Sequence, residues 1–272
     1  MRELVAPAAC RRIEAALGRI ETERGVRVLL AVESGSRAWG FPSSDSDYDV
    51  RFVYVATIDD YLSLAARRDV IEQPIADDLD VNGWDLRKAL GLALRSNAVV
   101  IEWLCSPLRY RDDPSLTTPL RDIVLAAAQL PALEYHYDRM ARRAFADIAG
   151  AVRPRLKRYF YALRPALALR WLRARRMPPP MDLASLLAGA DVPTPLVDTV
   201  AELIARKAAA HEGDTVDRVP VVDTYLQQTL ASEVTRPSGL SPTAEVAQRA
   251  QNFFTSVARG LPYGVERTAT EQ

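Results

Sequence analysis

The residues of this chain whose types and spacing could do chemistry lie between Glu33 and Arg51, in ESGSRAWGFPSSDSDYDVR. Gly35-Ser36 is followed by ten residues and then by Asp47-Tyr48-Asp49. Side chains on a strand alternate with period two, so Asp47 and Asp49 point to one side, about 7 Å apart along the chain. Two carboxylates so placed repel each other unless a cation stands between them. Hard oxygen ligands that leave positions for water and phosphate suit Mg²⁺, with Mn²⁺ as the alternative. The Gly35-Ser36 turn supplies the complementary part. Glycine lets the backbone approach closely, and exposed amides with the Ser36 hydroxyl donate to phosphate oxygens. Arg51 continues the period-two series onto the same face. It is either a counter-charge for phosphates or a structural ion pair with a nearby acid, and Arg37, directly after the Gly-Ser pair, carries the same two readings.

A sheet has to hold these residues. Ile13, Leu17 and Ile20 recur at helical spacing within Ala8–Thr22, and the apolar run Val26–Val32 reads as a buried strand. Glu33–Ser46 reads as a loop, Asp47–Val55 as a strand, and Leu79–Val81 as a third strand. Asp85 is placed to cap a helix, and a further helix over Ala98–Leu104 ends before Ser106-Pro107, where strands are expected to stop. Beyond Leu116 the pattern is helical: Pro119–Gly150, Pro154–Arg176, Asp182–Gly189, Pro195–His211 and Val222–Glu233. Pro165 should kink its helix or start a new one, and Pro178-Pro179-Pro180 should form an extended linker. The expected class is α+β. A small mixed sheet with helices on one face (1–115) precedes an all-helical C-terminal domain (116–260) and a flexible tail (261–272).

A strand, a Gly-Ser turn and a second strand opening Asp-x-Asp resemble the nucleotidyltransferases of the DNA polymerase β superfamily. The longer stretch GSRAWGFPSSDSDYDVRFVYV is similar to one branch, the RNA-repair-pathway nucleotidyltransferases. VNGWDLRKALGLALRSNAVVIEWLCSP (Val81–Pro107) and KRYFYALRPALALRWL (Lys157–Leu172) match further segments of that branch. The resemblance implies a mixed-sheet nucleotidyltransferase core and two metal ions held by three carboxylates. It also implies in-line attack of an acceptor hydroxyl on the α-phosphate of a nucleoside triphosphate, ATP among them. Asp47 and Asp49 would be metal ligands, Gly35 and Ser36 the phosphate loop, and a third carboxylate would lie on the next strand. Asp80 is the choice for it. Asp77 and Asp78 compete but read more simply as turn residues, and Asp85 more simply as the cap. Asp47, Asp49 and Asp80 thus form the catalytic and metal-binding set, and Gly35, Ser36, Arg37, Arg51, Lys157 and Tyr161 the nucleotide-binding set. The implied acceptor is an RNA end; nucleotidylation of a protein or small molecule, or a non-catalytic nucleotide-binding module, are the alternatives.

Lys157, Tyr159, Tyr161 and Arg164 share one helix, where they could stack a base and hold phosphate, or could form a packed core with a basic edge. Tyr135-His136-Tyr137 reads as a helix-face cluster, with a partner surface as its alternative. Other enzyme signatures fail. Phe41-Pro42 stand where a P-loop needs Lys and Ser/Thr, Ser34 and Ser36 lack the glycines of a nucleophile elbow, and His211-Glu212 lacks the second His of a zinc protease helix. Cys10 and Cys105 are too few for a disulfide framework or a four-ligand zinc site and should be small buried apolar residues.

The 272 residues carry 35 Lys plus Arg and 35 Asp plus Glu, a net charge of zero, which excludes a uniformly basic nucleic-acid coat. The balance hides a segregation. Ser43–Asp85 holds eleven acids and three basic residues, and Arg139–Arg176 holds twelve basic residues and one acid. Unless folding brings the two segments together, segment 139–176 is where an RNA partner is expected. Only Lys88, Lys157 and Lys207 are lysines, which reads as a bias towards Arg. With no run of 18 apolar residues and no leader-like N-terminus, the expectation is a cytoplasmic protein without membrane partners, its oligomeric state left open.

Overall fold

Alternation along the strands divides the apolar residues into two cores. The computed structural model describes residues 5–65, 67–211 and 213–263. Its strands are β1 (Arg27–Glu33), β2 (Tyr48–Val55), β3 (Val70–Glu72), β4 (Leu79–Asp85) and β5 (Arg109–Asp112). They form one mixed sheet in the order β3-β4-β2-β1-β5, with β2 and β4 parallel and the other neighbours antiparallel. Val50, Phe52, Tyr54 and Val81 pack with Ile13, Leu17 and Ile20 of α1 (Pro7–Arg24). Leu29, Leu30, Val53 and Val55 join the opposite core, shared with α4 (Leu86–Ala93), α5 (Ala98–Leu104), α6 (Pro114–Ala127), α7 (Leu130–Ala149), α8 (Leu156–Arg175) and α12 (Ala244–Ala258). Helices therefore cover both faces of the sheet, not one, because the apolar stripe of α1 closes the second. The class is α+β as expected, with the C-terminal part helical and completed by α9 (Leu183–Gly189), α10 (Thr194–Ala208) and α11 (Pro220–Thr229).

Several local expectations change. Strands do not stop at Pro107: β5 adds an edge whose polar sequence, RYRD, shows no apolar alternation. The short β3 forms the other edge. The loop 33–46 contains a one-turn helix, α2 (Ser36–Trp39), and α3 (Ile58–Leu62) follows β2 behind a capping box at Thr57. The stretch expected as one helix from Pro119 to Gly150 is two, because Ala128 and Gln129 are extended ahead of Pro131, which cannot continue the ladder. By contrast α8 runs unbroken through Pro165, held by the burial of Phe160, Leu163, Ala166, Leu167 and Leu169. Cys10 is exposed on α1 rather than buried, and Cys105 is half-buried. Of the expected tail, residues 264–272 lie outside the described residues. Among the described residues no helix is long and apolar enough to cross a membrane.

Register is fixed on the α1 face. Phe52 of β2 sits opposite Gly83 of β4, and a Cβ on Gly83 would lie 2.2 Å from the Phe52 ring. The ring occupies the space a side chain would need.

Candidate active site

The site begins where β1 ends. Glu33 is fully buried, and its carboxylate accepts from the Asp49 amide at 3.0 Å and from the Tyr110 hydroxyl. Burial pushes its pKa above the ordinary carboxylate range despite those donors. Gly35 then turns the chain onto Asp49. A Cβ at this position would stand 1.7 Å from Asp49 Oδ2, so glycine is what lets the turn touch the carboxylate. Ser36 opens α2, and its hydroxyl donates to Ser46 Oγ at 3.1 Å. Ser46 Oγ also accepts from the Ser43 amide at 2.9 Å, and Lys207 of α10 donates to the Ser43 hydroxyl at 3.2 Å. Lys207 as a whole is 4% exposed, so a buried lysine backs the serine cluster. Arg37 closes the same loop, donating to the Ser46 carbonyl at 2.7 Å with its guanidinium 4.1 Å from the centre of the Tyr48 ring.

The acids come next. Asp47 precedes β2 and is exposed, whereas Asp49 and Arg51 lie on β2, opposite in facing to Val50 and Phe52. Parallel pairing sets Asp49 beside Asp80. The Arg51 guanidinium stands between them, 3.3 Å from Asp49 and 2.7 Å from Asp80. Asp80 also accepts from the Asn82 amide at 2.5 Å, and its carbonyl accepts from Arg51 at 2.8 Å. The competing aspartates are elsewhere. Asp77 and Asp78 form a left-handed turn at φ 47° and 66°, while Asp85 caps α4, accepting from the Arg87 amide at 2.7 Å.

The helical layer brings Tyr161 of α8, and Lys157 lies one turn before it on the same helix. Tyr161 meets Trp39 of α2 edge-on at 5.6 Å, and Phe160 stacks on Phe41 at 4.6 Å, so aromatic contacts dock α8 on the loop that follows Ser36. Tyr159 and Arg164 belong to the packing. The Tyr159 hydroxyl accepts from the Val219 amide at 2.9 Å; Arg164, 2% exposed, donates to Glu102 and to the Met181 carbonyl, each at 2.9 Å.

Glu33, Asn82 and Lys207 were not among the residues singled out from sequence. Lys207 carried a signal: it continues the buried helical series Leu196, Val200 and Leu203, where a lysine has no reason to be apolar filler. The donor chemistry of Asp47, Asp49 and Asp80 fits a hard divalent cation, and Arg51 already holds positive charge between two of them. Among the described residues no group of three His, Cys, Asp or Glu stands assembled to hold a metal ion, and Asp80 is engaged by Arg51 and Asn82.

Residues 10–256 match the RNA repair pathway DNA polymerase beta family, RlaP. The chain is 43% identical over 216 residues to the protein named "Uncharacterized protein YcgL" of Bacillus subtilis (strain 168), a match covering 79% of this chain and 83% of that protein. A nucleotidyltransferase-like protein from Exiguobacterium sibiricum 255-15, solved at 1.90 Å, aligns over 91% of this chain and 80% of its own at 15% identity, with a TM-score of 0.32. The sequence matches, and not that partial superposition, carry the assignment. The family match, which spans residues 10–256, establishes that the chain belongs to the RNA repair pathway DNA polymerase beta family, a group of polymerase β-like nucleotidyltransferases.

Proposed function

We propose that this protein transfers a nucleoside monophosphate from a nucleoside triphosphate to the hydroxyl of an RNA end. The acceptor oxygen bonds to the α-phosphorus as the bond to the β-phosphate breaks, and pyrophosphate leaves with the electron pair. The observation that carries the reading is the meeting of three parts at the head of one sheet: the Gly35 turn, the Asp49 carboxylate it touches, and Asp80 beside it. The amides and hydroxyl of the Gly35-Ser36 turn receive phosphate oxygens, with Arg51 and Lys207 offsetting their charge and Arg37 holding the loop in shape. Lys157 and Tyr161 approach from the helical segment 116–260, so the nucleotide lies between it and the catalytic segment 1–115. Asp47, Asp49 and Asp80 would hold Mg²⁺ or Mn²⁺, Asp80 in exchange for its present pairing with Arg51. Bound there, the metal supplies Lewis-acid stabilisation of the phosphoryl oxygens and lowers the pKa of the acceptor hydroxyl. Asp80 would also accept the acceptor's proton.

The test is incubation with each α-labelled nucleoside triphosphate, Mg²⁺ or Mn²⁺, and pools of RNA, proteins and small acceptors. Label on RNA supports the reading, and label on protein or a small molecule moves the acceptor. Binding of nucleotide without pyrophosphate release under every condition would replace the enzyme by a nucleotide-binding module.

A further inference from the structure

A cavity of about 970 Å³ lies apart from the candidate active site, between the α4–α5 turn, α7 and residues 236–240. Arg95, Arg139, Arg142, Arg143 and Arg236 line it, and no Asp or Glu does. Arg142 is committed to the fold, donating to the buried Asp138 carboxylate and to the Ser232 carbonyl, each at 2.8 Å. The other four arginines are exposed, and none pairs with an acid among the described residues. Four guanidinium groups in one concavity repel one another, and an anion placed among them removes that repulsion. Guanidinium forks match phosphate oxygens in particular. A single phosphate would engage about one or two of them; four, drawn from three separate chain segments, suit a chain of phosphates.

The wall also carries the aromatic cluster that the catalytic reading leaves unused. Tyr135 and His136 line the cavity, with the His136 ring edge-on to Tyr137 at 5.2 Å. Burial lowers the His136 pKa, so near neutral pH the ring offers a face and a hydrogen bond rather than a fifth charge. A charged groove beside aromatic side chains is the arrangement that tracks single-stranded nucleic acid.

We infer that this cavity is a binding site for the phosphodiester backbone of single-stranded RNA. Arg139 and Arg143, one turn apart on α7, contact successive phosphates, Arg95 and Arg236 flank them, and Tyr135 lies against a base. The inference deepens the proposed RNA-end reading and rests on it for the choice of RNA.

The experiment is fluorescence anisotropy of an end-labelled single-stranded RNA oligonucleotide with the full chain, without nucleotide or divalent metal, over a series of salt concentrations. R139A/R143A should weaken binding about tenfold or more and flatten the slope of log affinity against log salt by about 1.4, from two lost contacts at roughly 0.7 each on a single strand. R11A/R27A, which removes one exposed arginine of α1 and one at the start of β1, neither of them lining the cavity, should change affinity less than about twofold. Unchanged binding by R139A/R143A, equal losses in both variants, or no RNA binding by the unsubstituted protein overturns the proposal. Pyrophosphate release is measured separately. RNA bound through the groove by a protein that never releases pyrophosphate sinks the transfer mechanism and keeps the groove; transfer to RNA that is indifferent to R139A/R143A does the reverse.

Discussion

The head of the sheet and the exposed side of α7 hold charge in opposite conditions. At the sheet, charges are answered within the protein: Arg51 lies between Asp49 and Asp80, Lys207 reaches Ser43, and Glu33 receives the Asp49 amide and the Tyr110 hydroxyl. On α7 and its neighbours, four arginines face a cavity with no acid in its lining. The first region is shaped before any ligand arrives, whereas the second is completed by one. Among the described residues the arginines of segment 139–176 that pair with acids do so outside the acidic segment. Arg142, Arg158 and Arg164 bond to Asp138, Asp147 and Glu102, all outside Ser43–Asp85. Glu102 joins the two regions instead. It accepts from Tyr137 of α7 at 2.8 Å and from Arg164 of α8 at 2.9 Å, and the Arg164 guanidinium lies 4.8 Å from the centre of the Trp39 ring, on the one-turn helix that Ser36 opens.

The contrast can be broken at four points. The largest effect belongs to D49N, with D47N beside it: pyrophosphate release should fall on the order of 10³-fold while RNA binding persists. A D49N protein that turns over normally would remove the sheet head from the mechanism. Second is the link, where R164M leaves Glu102, its side chain 12% exposed, with the Tyr137 hydroxyl but no guanidinium, and should cost about 3 kcal/mol in urea unfolding. R164M/E102M should recover much of that loss, and equal destabilisation in both variants would show that packing, not the ion pair, joins the regions. Third, G35A forces the Asp49 carboxylate aside and should slow transfer about 10²-fold, with RNA affinity as the internal control. The smallest effect is at His136. Its folded pKa lies below the unfolded value near 6.5, so the unfolded chain binds the proton more readily. Stability is therefore full above about pH 6.5 and declines as pH falls through the folded pKa, and H136Q should flatten that decline by less than about 1 kcal/mol between pH 7.5 and 5. A parallel decline in H136Q would assign it to other groups.

What was legible in the sequence were features written in local pattern. Period two put Asp49 and Arg51 on one side, whereas Asp47, expected to open the strand, lies just ahead of it; Gly35-Ser36 announced a turn, and the structure adds that Gly35 is needed because Asp49 lies against it. Arg51 was left between two readings, and the structure shows the ion pairs. Asp80 required the family resemblance, since nothing local says which aspartate faces Asp49 until β2 and β4 are paired. Glu33 was hidden because a charge closing an apolar run reads as the start of a loop. β5 was hidden because an edge strand is defined by its neighbour's free hydrogen-bonding groups and not by its own side chains.

The knob of Phe52 in the gap above Gly83 has a consequence on the other side of the sheet. Strands are rigid rulers over a few residues, so whatever indexes Phe52 to Gly83 also indexes Asp49 to Asp80 three positions away. The carboxylates on one surface are therefore aligned by an apolar contact on the reverse. A side chain at position 83 would upset the pairing of Asp49 with Asp80 as a misprint harms a vernier: every graduation stays intact, and none reads against its partner.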